Sequence, residues 1–155
     1  MGIRRATADD VDRMVALIEE ERTRMAEWQP TMWRKALNSA EKTSEWFPIL
    51  IQDENVISIV HEQNGQIDGF LVAIPQPAPP VYDPGLTFVI DDFCVAKDDR
   101  WPSLGGALLD YAINEARGRH AAQCISISPI AHHAKMEVLK SRGLEPATIW
   151  SSLSL

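Results

Sequence analysis

The chain has 155 residues, of which 45% are hydrophobic and 24% are charged, and its formal net charge at pH 7 is −7. This length and composition predict a single domain, residues 1–155, with a sizeable buried core. The acidic balance argues against nucleic-acid binding, and no apolar run reaches the roughly 18 residues that a membrane span requires.

Charge and cysteine content permit more than one interpretation of the substrate and of the state of the thiols. An acidic surface is compatible with a cationic amine substrate, and it also simply keeps a protein soluble. Residues 1–6 carry no apolar stretch of the kind that directs secretion, so a cytoplasmic location is expected. Cys94 and Cys124 lie in apolar, strand-like runs, which favours buried thiols in a reducing compartment. If the two strands are neighbours, a disulfide stays open as an alternative.

The N-terminal half predicts a strand, two helices and a hairpin. Residues 3–6 suit a short strand, and Thr7 with Asp10 forms a capping box that begins a helix reaching to about residue 27. Residues 31–46 indicate a second, irregular helix. Two alternating segments, 56–62 and 67–74, flank Asn64-Gly65, which is a strong signal for a β-hairpin.

The C-terminal half predicts alternating strands and helices. A proline-rich loop comes first and is either a connector or a stiff wall beside a pocket. The predicted elements are then a strand at 86–95, a helix at 104–117 capped by Gly118, a strand at 124–128, a helix at 131–142 ended by Gly143, and a strand at 148–155. This order indicates a mixed α/β sheet with helices on both faces.

One stretch combines a strand end with a glycine-flanked helix start. It runs through Asp91, Asp92, Phe93, Cys94 and Val95, and then through Arg100, Trp101, Pro102, Ser103, Leu104, Gly105 and Gly106. A strand that feeds such a turn gathers free backbone N–H groups and the positive end of a helix dipole, which suits a phosphate. A loop with an ordinary helix cap would explain the two glycines alone.

The spacing Arg100-x-x-Ser103-x-Gly105 resembles the acyl-CoA signature of the GNAT superfamily of N-acetyltransferases, which usually shows Gln/Arg-x-x-Gly-x-Gly/Ala. The element order resembles the GNAT fold over nearly the whole chain, which implies a mixed sheet of six to seven strands with helices on both faces. Two departures weaken the match, because Ser103 replaces the first glycine and Pro102 has no amide to give.

The resemblance implies acetyl-CoA as cofactor and places it on named residues. Its pyrophosphate would meet the helix start, and its pantetheine arm would pair with the strand as an added strand does. The residues implied for the pyrophosphate are Arg100, Trp101, Ser103, Leu104, Gly105 and Gly106, and those for pantetheine are Phe93, Cys94 and Val95.

Asp91-Asp92-Phe93 resembles the Glu-Asp-Phe of diamine and polyamine acetyltransferases, in which the glutamate acts as a base. Asp91 falls on that glutamate, and Asp92 follows it. A carboxylate beside the thioester could take the proton that an amine must lose. Neighbouring strand residues face opposite ways unless a bulge intervenes, so which aspartate serves stays open. Alternatively, both only mark a bend in the strand.

The proton donor for the leaving thiolate is less clear. Many relatives carry a tyrosine four residues before the glycine that corresponds to Gly143, and here that position is Leu139. His132 falls where relatives often place an asparagine near the thioester, so His132, His133 or water could protonate the thiolate. Histidines at a helix start are also commonly solvent-facing. The histidines lack metal-ligand spacing, so no metal is expected.

The sequence thus predicts a cytoplasmic, acetyl-CoA-dependent N-acetyltransferase that transfers an acetyl group directly to a primary amine of a small molecule. Trp28, Trp33 and Trp46, with the acidic residues 19–21 and Glu27 nearby, would suit a cationic acceptor, or the tryptophans are simply core. Relatives are often homodimers, which makes a homodimer one expected state. The alternative is a GNAT-like protein of weak catalytic activity that acts as an acyl-CoA-binding sensor or as a protein-interaction module. Leu139 and Ser103 favour this alternative.

Overall fold

A computed structural model describes residues 2–155, and these form one five-stranded sheet in the order β1-β2-β3-β4-β5. The pairs β1–β2, β2–β3 and β3–β4 are antiparallel, and β4–β5 is parallel. The elements are β1 (Gly2–Arg5), α1 (Val11–Trp28), α2 (Ser39–Gln52), β2 (Ile57–Gln63), β3 (Gln66–Pro75), β4 (Thr87–Val95), α3 (Gly106–Gly118), β5 (Gln123–Ser126) and α4 (His133–Ser141).

Each face of the sheet carries its own apolar core. On one face, Leu71 and Phe93 pack with side chains of α3 and α4, and the indole of Trp101 is fully buried there. On the other face, Phe70 and Cys94 pack with side chains of α1 and α2. The helices therefore cover both faces, as the resemblance implied. Side chains alternate along each strand, so successive residues of the same strand contribute to opposite cores.

The capping box and the hairpin are confirmed. The carboxylate of Asp10 accepts a hydrogen bond from the Thr7 backbone N–H at 2.8 Å, and Arg4 binds the same carboxylate at 2.7 and 2.9 Å. Asn64 and Gly65 have φ values of 53° and 74°, the left-handed backbone that a two-residue hairpin turn requires.

One helix end was predicted correctly and the other was not. Gly143 has φ +84°, and Leu144 N–H donates to Leu139 O at 3.0 Å, which is a Schellman ending of α4. The prediction that Gly118 caps α3 is wrong, because Gly118 is still helical and His120 takes the left-handed position, with φ 60°. The site of the cap is set by where the chain turns toward β5, and His120 adopts it at some cost in backbone strain.

The predicted number of strands is also wrong, since five are found rather than six or seven. Residues 148–155 were expected to form the last strand, but they have no regular structure, and Ile149 and Trp150 are 78% and 70% exposed. An alternating pattern makes a strand only where a neighbour accepts its backbone hydrogen bonds. The irregular helix predicted at 31–46 is instead a turn followed by α2.

Two further expectations concern cysteine and membranes. Cys94 and Cys124 are free thiols. Cys124 lies opposite Phe88 on β4, six positions before Cys94, so about 20 Å of strand separates the two sulfurs. Within residues 2–155, none of the helices combines the length and the apolar character needed to cross a lipid bilayer.

Candidate active site

Strands β4 and β5 stay together for only part of their length. Their parallel pairing runs from Thr87 to Ile90 on β4, and β5 ends at Ser126. Within residues 2–155, the second half of β4, from Asp91 to Val95, therefore has no strand beside it on that edge. A strand with unpaired N–H and C=O groups is ready to accept an extended ligand.

A β-bulge in β4 lies where this open edge begins. Val72 on β3 pairs with Asp92 and Ala73 pairs with Ile90, which leaves Asp91 without an opposing residue. The extra residue resets the alternation of side chains, so Asp92 joins Cys94 on the face of α1. Both carboxylates line one cavity on that face. The bulge therefore allows both neighbouring aspartates to line the same cavity.

The two aspartates differ in their surroundings. Asp91 is exposed, whereas Asp92 is only 9% exposed and lies 3.5 Å from the guanidinium of Arg22. Burial raises the pKa of Asp92 to about 6; Arg22 opposes this effect, and the neighbouring Asp91 carboxylate adds to it. A carboxyl with this pKa is part ionised near neutral pH and can accept a proton there.

The cavity beside the aspartates has a volume of about 490 Å³. Its walls come from α1, the segment between α1 and α2, β4, and the C-terminal tail. Trp33, Trp46 and Trp150 contribute aromatic surface, and Arg22 and Lys135 contribute positive charge. Trp46 is 47% exposed, so it is not a core residue. Trp28 does not line the cavity but packs on the ring of His132, with 5.3 Å between ring centroids.

A buried polar cluster lies under this cavity, formed by Glu21, His132 and Lys135. These residues are 2%, 3% and 5% exposed. His132 Nδ1 accepts from the Lys135 backbone N–H at 3.4 Å, and its Nε2 is 3.1 Å from Glu21 Oε1 without the alignment of a hydrogen bond. Lys135 Nζ donates to the carbonyl of Phe93 at 2.9 Å. His132 is therefore not solvent-facing, and its ring does not line the cavity.

Charge within this cluster is balanced across three elements. Burial acts to raise the pKa of Glu21, but His132, Arg24 and Lys135 outweigh it and hold that pKa below its ordinary value. Burial lowers the pKa of Lys135, and Glu21 and Asp92 oppose that effect. Glu21 and Lys135 thus each oppose the effect of burial on the pKa of the other.

The contacts of Phe93 show which backbone groups face the open edge. Lys135 reaches Phe93 O, while Ala96 N–H donates to Asp68 O of β3 at 2.8 Å. Because N–H and C=O of one strand residue leave on the same side and alternate along the strand, Phe93 and Val95 face the open edge. Cys94 directs its backbone toward β3, and its side chain is buried against α1.

The segment that begins the next helix is dominated by packing. Residues Trp101–Gly105 form a π-helical turn that runs into α3, which therefore starts at Gly106 rather than at residue 104. A Cβ on Gly105 would lie 2.5 Å from the indole of Trp101, so this glycine makes room for tryptophan. A Cβ on Gly106 would lie 2.3 Å from the guanidinium of Arg142.

Several amides of this segment are already used. Trp101 N–H donates to Asp98 O, and Gly106 N–H donates to Ser103 O and Trp101 O. The side chain of Leu104 is buried, whereas Ser103 is exposed and Arg100 is partly exposed, 3.8 Å from Asp68. The predicted cofactor residues therefore share one corner of the fold, but most of their side chains serve the core.

Arg22, Lys135 and Trp150 line this cavity, and the sequence did not single them out. Lys135 is the fifth residue of the helix predicted at 131–142, where a lysine usually faces solvent, so its pattern gave no signal. Trp150 lies in a segment that the pattern predicted as a strand. Their positions depend on long-range packing, which short-range sequence patterns do not record.

The fold of the chain, with its five-stranded sheet covered by helices on both faces, is also found in solved structures of acetyltransferases. The BH1408 protein of Bacillus halodurans, solved as a tetramutant, aligns with a TM-score of 0.81 at 19% identity over 100% of both chains. A predicted acetyltransferase of Clostridium acetobutylicum, solved with acetyl-CoA, has a TM-score of 0.70 at 18% identity and covers 98% of this chain and 94% of its own.

A third solved structure is a ribosomal-protein-alanine N-acetyltransferase of Brucella melitensis biovar Abortus 2308. Its TM-score is 0.64 at 17% identity, with 99% of this chain and 96% of its own covered. No protein-family model and no curated protein sequence matches the chain. Likeness at these identities establishes the fold, and the activity has to be argued from the site.

Proposed function

We propose that the protein is an acetyl-CoA-dependent N-acetyltransferase that transfers an acetyl group directly to a primary amine of a small molecule. The observation that carries this proposal is the bulge in β4, which sets Asp91 and Asp92 beside the open backbone edge at Phe93. Acetyl transfer needs a base and a site for an extended thioester donor, and these two features supply both in one place.

The open edge fits the pantetheine arm of acetyl-CoA. Phe93 and Val95 offer N–H and C=O groups along an edge that β5 leaves free beyond Ile90. The start of the next helix supplies candidate amides for the pyrophosphate at the exposed Ser103 and the buried Leu104, with Arg100 beside them. Acetyl-CoA, when bound, supplies the activated acetyl group as a thioester. These residues bind and orient it.

Asp92 is the base in this proposal, and Asp91 assists it. An alkylamine is mostly protonated at neutral pH, so it must lose a proton before it can attack. Asp92 is fixed by Arg22 and buried, whereas Asp91 is exposed. The negative charge of the pair also attracts a cationic amine into the cavity. The N–H of Phe93 is placed to stabilise the carbonyl oxygen as it gains charge.

The walls of the cavity favour a small, partly aromatic or aliphatic amine. Trp33, Trp46 and Trp150 provide flat apolar surface on which such a molecule can stack, and they also suit a cation. Arg22 pairs with Asp92, and Lys35 also lines the cavity, so the acceptor meets a mixed rather than a purely acidic wall. The homodimer and the cytoplasmic location remain predictions.

The test is turnover of acetyl-CoA with a panel of primary amines and amino acids, followed by thiol release. We expect product with at least one amine, and acetyl-CoA binding by calorimetry independent of the amine. Tight binding of acetyl-CoA without turnover on the whole panel would favour the rival, an acyl-CoA sensor. Absence of binding at saturating acetyl-CoA would contradict both functions.

A further inference from the structure

The proposed transfer leaves one chemical need unmet, which is a proton for the departing sulfur. Leu139 cannot supply it, since it is an apolar side chain packed in the core at 4% exposure. The two tyrosines of the chain, Tyr82 and Tyr111, are 70% and 37% exposed, and neither lines the cavity of the aspartates. His132 is buried behind the cavity wall. These groups are poorly placed to act as acids.

Lys135 occupies the place that such an acid requires. It lies one helical turn before Leu139, on the same face of α4. It lines the cavity together with Asp91, Asp92 and Phe93. Its Nζ is 2.9 Å from Phe93 O, at the open edge where the thioester arm would pair.

Several groups around Lys135 act against the effect of burial on its amine. Its Nζ lies 5.3 Å from the ring centroid of Phe93 and 5.7 Å from that of Trp101, which are cation–π distances. Glu21 lies beneath it in the same buried cluster, and Asp92 and Cys94 lie near it on β4. A neutral donor would satisfy the Phe93 carbonyl at a lower cost of burial, so a lysine at this position indicates a role beyond that one hydrogen bond.

An ammonium has three donors, and among residues 2–155 only one of them has a protein acceptor, the carbonyl of Phe93. A pantetheine amide that pairs with Phe93 would take over this carbonyl. Lys135 would then be released at the open edge with all three of its N–H groups free. Its side chain is long and flexible enough to turn toward a neighbouring atom.

We propose that Lys135 is the proton donor of the acetyl transfer, giving one proton from Nζ to the sulfur of the leaving thiol. This inference rests on the proposed function. The new C–N bond forms to the acceptor nitrogen while the C–S bond breaks, and the electron pair of that bond goes to sulfur. The nitrogen of a protonated acceptor loses two protons in all: one passes to Asp92 before the attack, and the second leaves to water after the C–N bond has formed. Exchange with solvent then restores both Asp92 and Lys135.

The experiment compares wild type with Lys135→Gln and Lys135→Met on two acetyl donors. Acetyl-CoA releases an alkyl thiol, whose thiolate needs a proton. An acetyl thioester of an aromatic thiol releases a thiolate that is stable at neutral pH. Gln keeps a donor for Phe93 O but cannot give up a proton, so it separates positioning from acid catalysis. Lys140→Gln, on the exposed side of α4, is the matched control.

We expect both Lys135 variants to lose about 100-fold in kcat with acetyl-CoA, with KM changed less than about threefold. With the aromatic thioester the loss should be less than about threefold. In wild type, kcat should fall as pH rises through the pKa of Lys135, which lies below its ordinary value, and this fall should be absent in Lys135→Gln. Thermal unfolding and CoA affinity confirm that each variant is folded.

Equal losses with both donors, or a Gln variant with wild-type kcat, would overturn the assignment and leave the proposed function standing. Wild-type protein that binds acetyl-CoA but acetylates no amine would overturn the function and the proton donor together. The two failures are therefore distinguished by the wild-type measurement alone.

Discussion

The bulge of β4 and the start of α3 differ in the groups that they offer to a ligand. At the bulge these groups are side chains, and at the start of α3 they are mainly backbone groups. Asp91, Asp92 and Lys135 all reach one cavity, and each is placed there by a different contact. At the helix start, Trp101 and Leu104 are buried in the core, and Gly105 makes room for the indole of Trp101. Two neighbouring regions of one site are thus built on different principles.

The difference shows why the two regions should respond differently to substitution. Recognition through the backbone tolerates many side chains, provided that the local packing is kept. Recognition and proton transfer through side chains tolerate almost none. Substitutions at the helix start should therefore change stability or affinity, and those at the bulge should change turnover.

Trp101→Ala gives the largest expected effect. It tests whether packing of the Trp101 indole stabilises the helix start. Trp101 is fully buried, with its ring 4.8 Å from that of Phe93 and 5.0 Å from that of His132. Removing it should lower the free energy of unfolding by about 4 kcal/mol. Denaturant titration measures the loss, with Trp46→Ala as the exposed control at less than about 1 kcal/mol. A small loss at Trp101 would mean that the indole is not part of the core.

Asp92→Asn tests the bulge as a site of proton transfer. Because burial raises the pKa of Asp92 to about 6, its ionised form grows as pH rises through that value, and kcat/KM should rise with it. The Asn variant should lose about 100-fold in kcat and show no rise near pH 6. The pH profile of Asp91→Asn is the control. If Asp91→Asn loses the rise and Asp92→Asn keeps it, the two roles are reversed.

The titration of Asp92 also affects the stability of the fold. Whereas kcat/KM should rise with pH, the contribution of Asp92 to the free energy of unfolding should fall. The folded protein binds the Asp92 proton more tightly than the unfolded chain, whose carboxyl titrates near its ordinary pKa of 3.8. The contribution of Asp92 to stability should therefore be present below that value and be lost as pH rises toward about 6. The difference in unfolding free energy between wild type and Asp92→Asn, measured across this range, shows whether the aspartate is as buried in solution as in the structure.

Ser103→Glu gives the smallest expected effect and tests the helix start as an anion site. Ser103 is exposed, and its hydroxyl donates to Arg100 O at a distance of 3.4 Å, so a longer side chain fits without loss of stability. A carboxylate there should repel the pyrophosphate and weaken CoA binding about tenfold by calorimetry. Ser103→Gln, of similar size and no charge, is the control. Equal affinities for the two variants would remove Ser103 from the cofactor site.

Much of the fold could be read from local chemistry. The capping box at Thr7, the turn at Asn64-Gly65 and the ending at Gly143 each depend on a few adjacent residues, and all three were predicted correctly. The cap at Gly118 and the strand at 148–155 were not, because each depends on where a distant part of the chain passes. Local patterns cannot show whether a neighbour is present to accept a backbone hydrogen bond.

The residues of the candidate site also fall into two groups, those that are close together in the sequence and those that only folding brings together. The resemblance located Asp91, Asp92 and the helix start at residues 100–106, because these residues are close together in the sequence. The bulge that turns both aspartates to one face is not visible in the sequence, since Asp91 looks like any other strand residue. Glu21, His132 and Lys135 come from α1 and α4, more than a hundred residues apart, and only folding brings them together.

The bulge has one more consequence, which concerns the length of the chain. Deleting Asp91 would let Ile90 and Asp92 become ordinary neighbours, paired with Ala73 and Val72 as they already are. Phe93, and every side chain after it, would stay on its present face. The extra residue is thus dispensable to the alternation of the sheet, and position 91 is a place where the strand can lose a residue without being rebuilt, at the cost of the Asp91 carboxylate that lines the cavity.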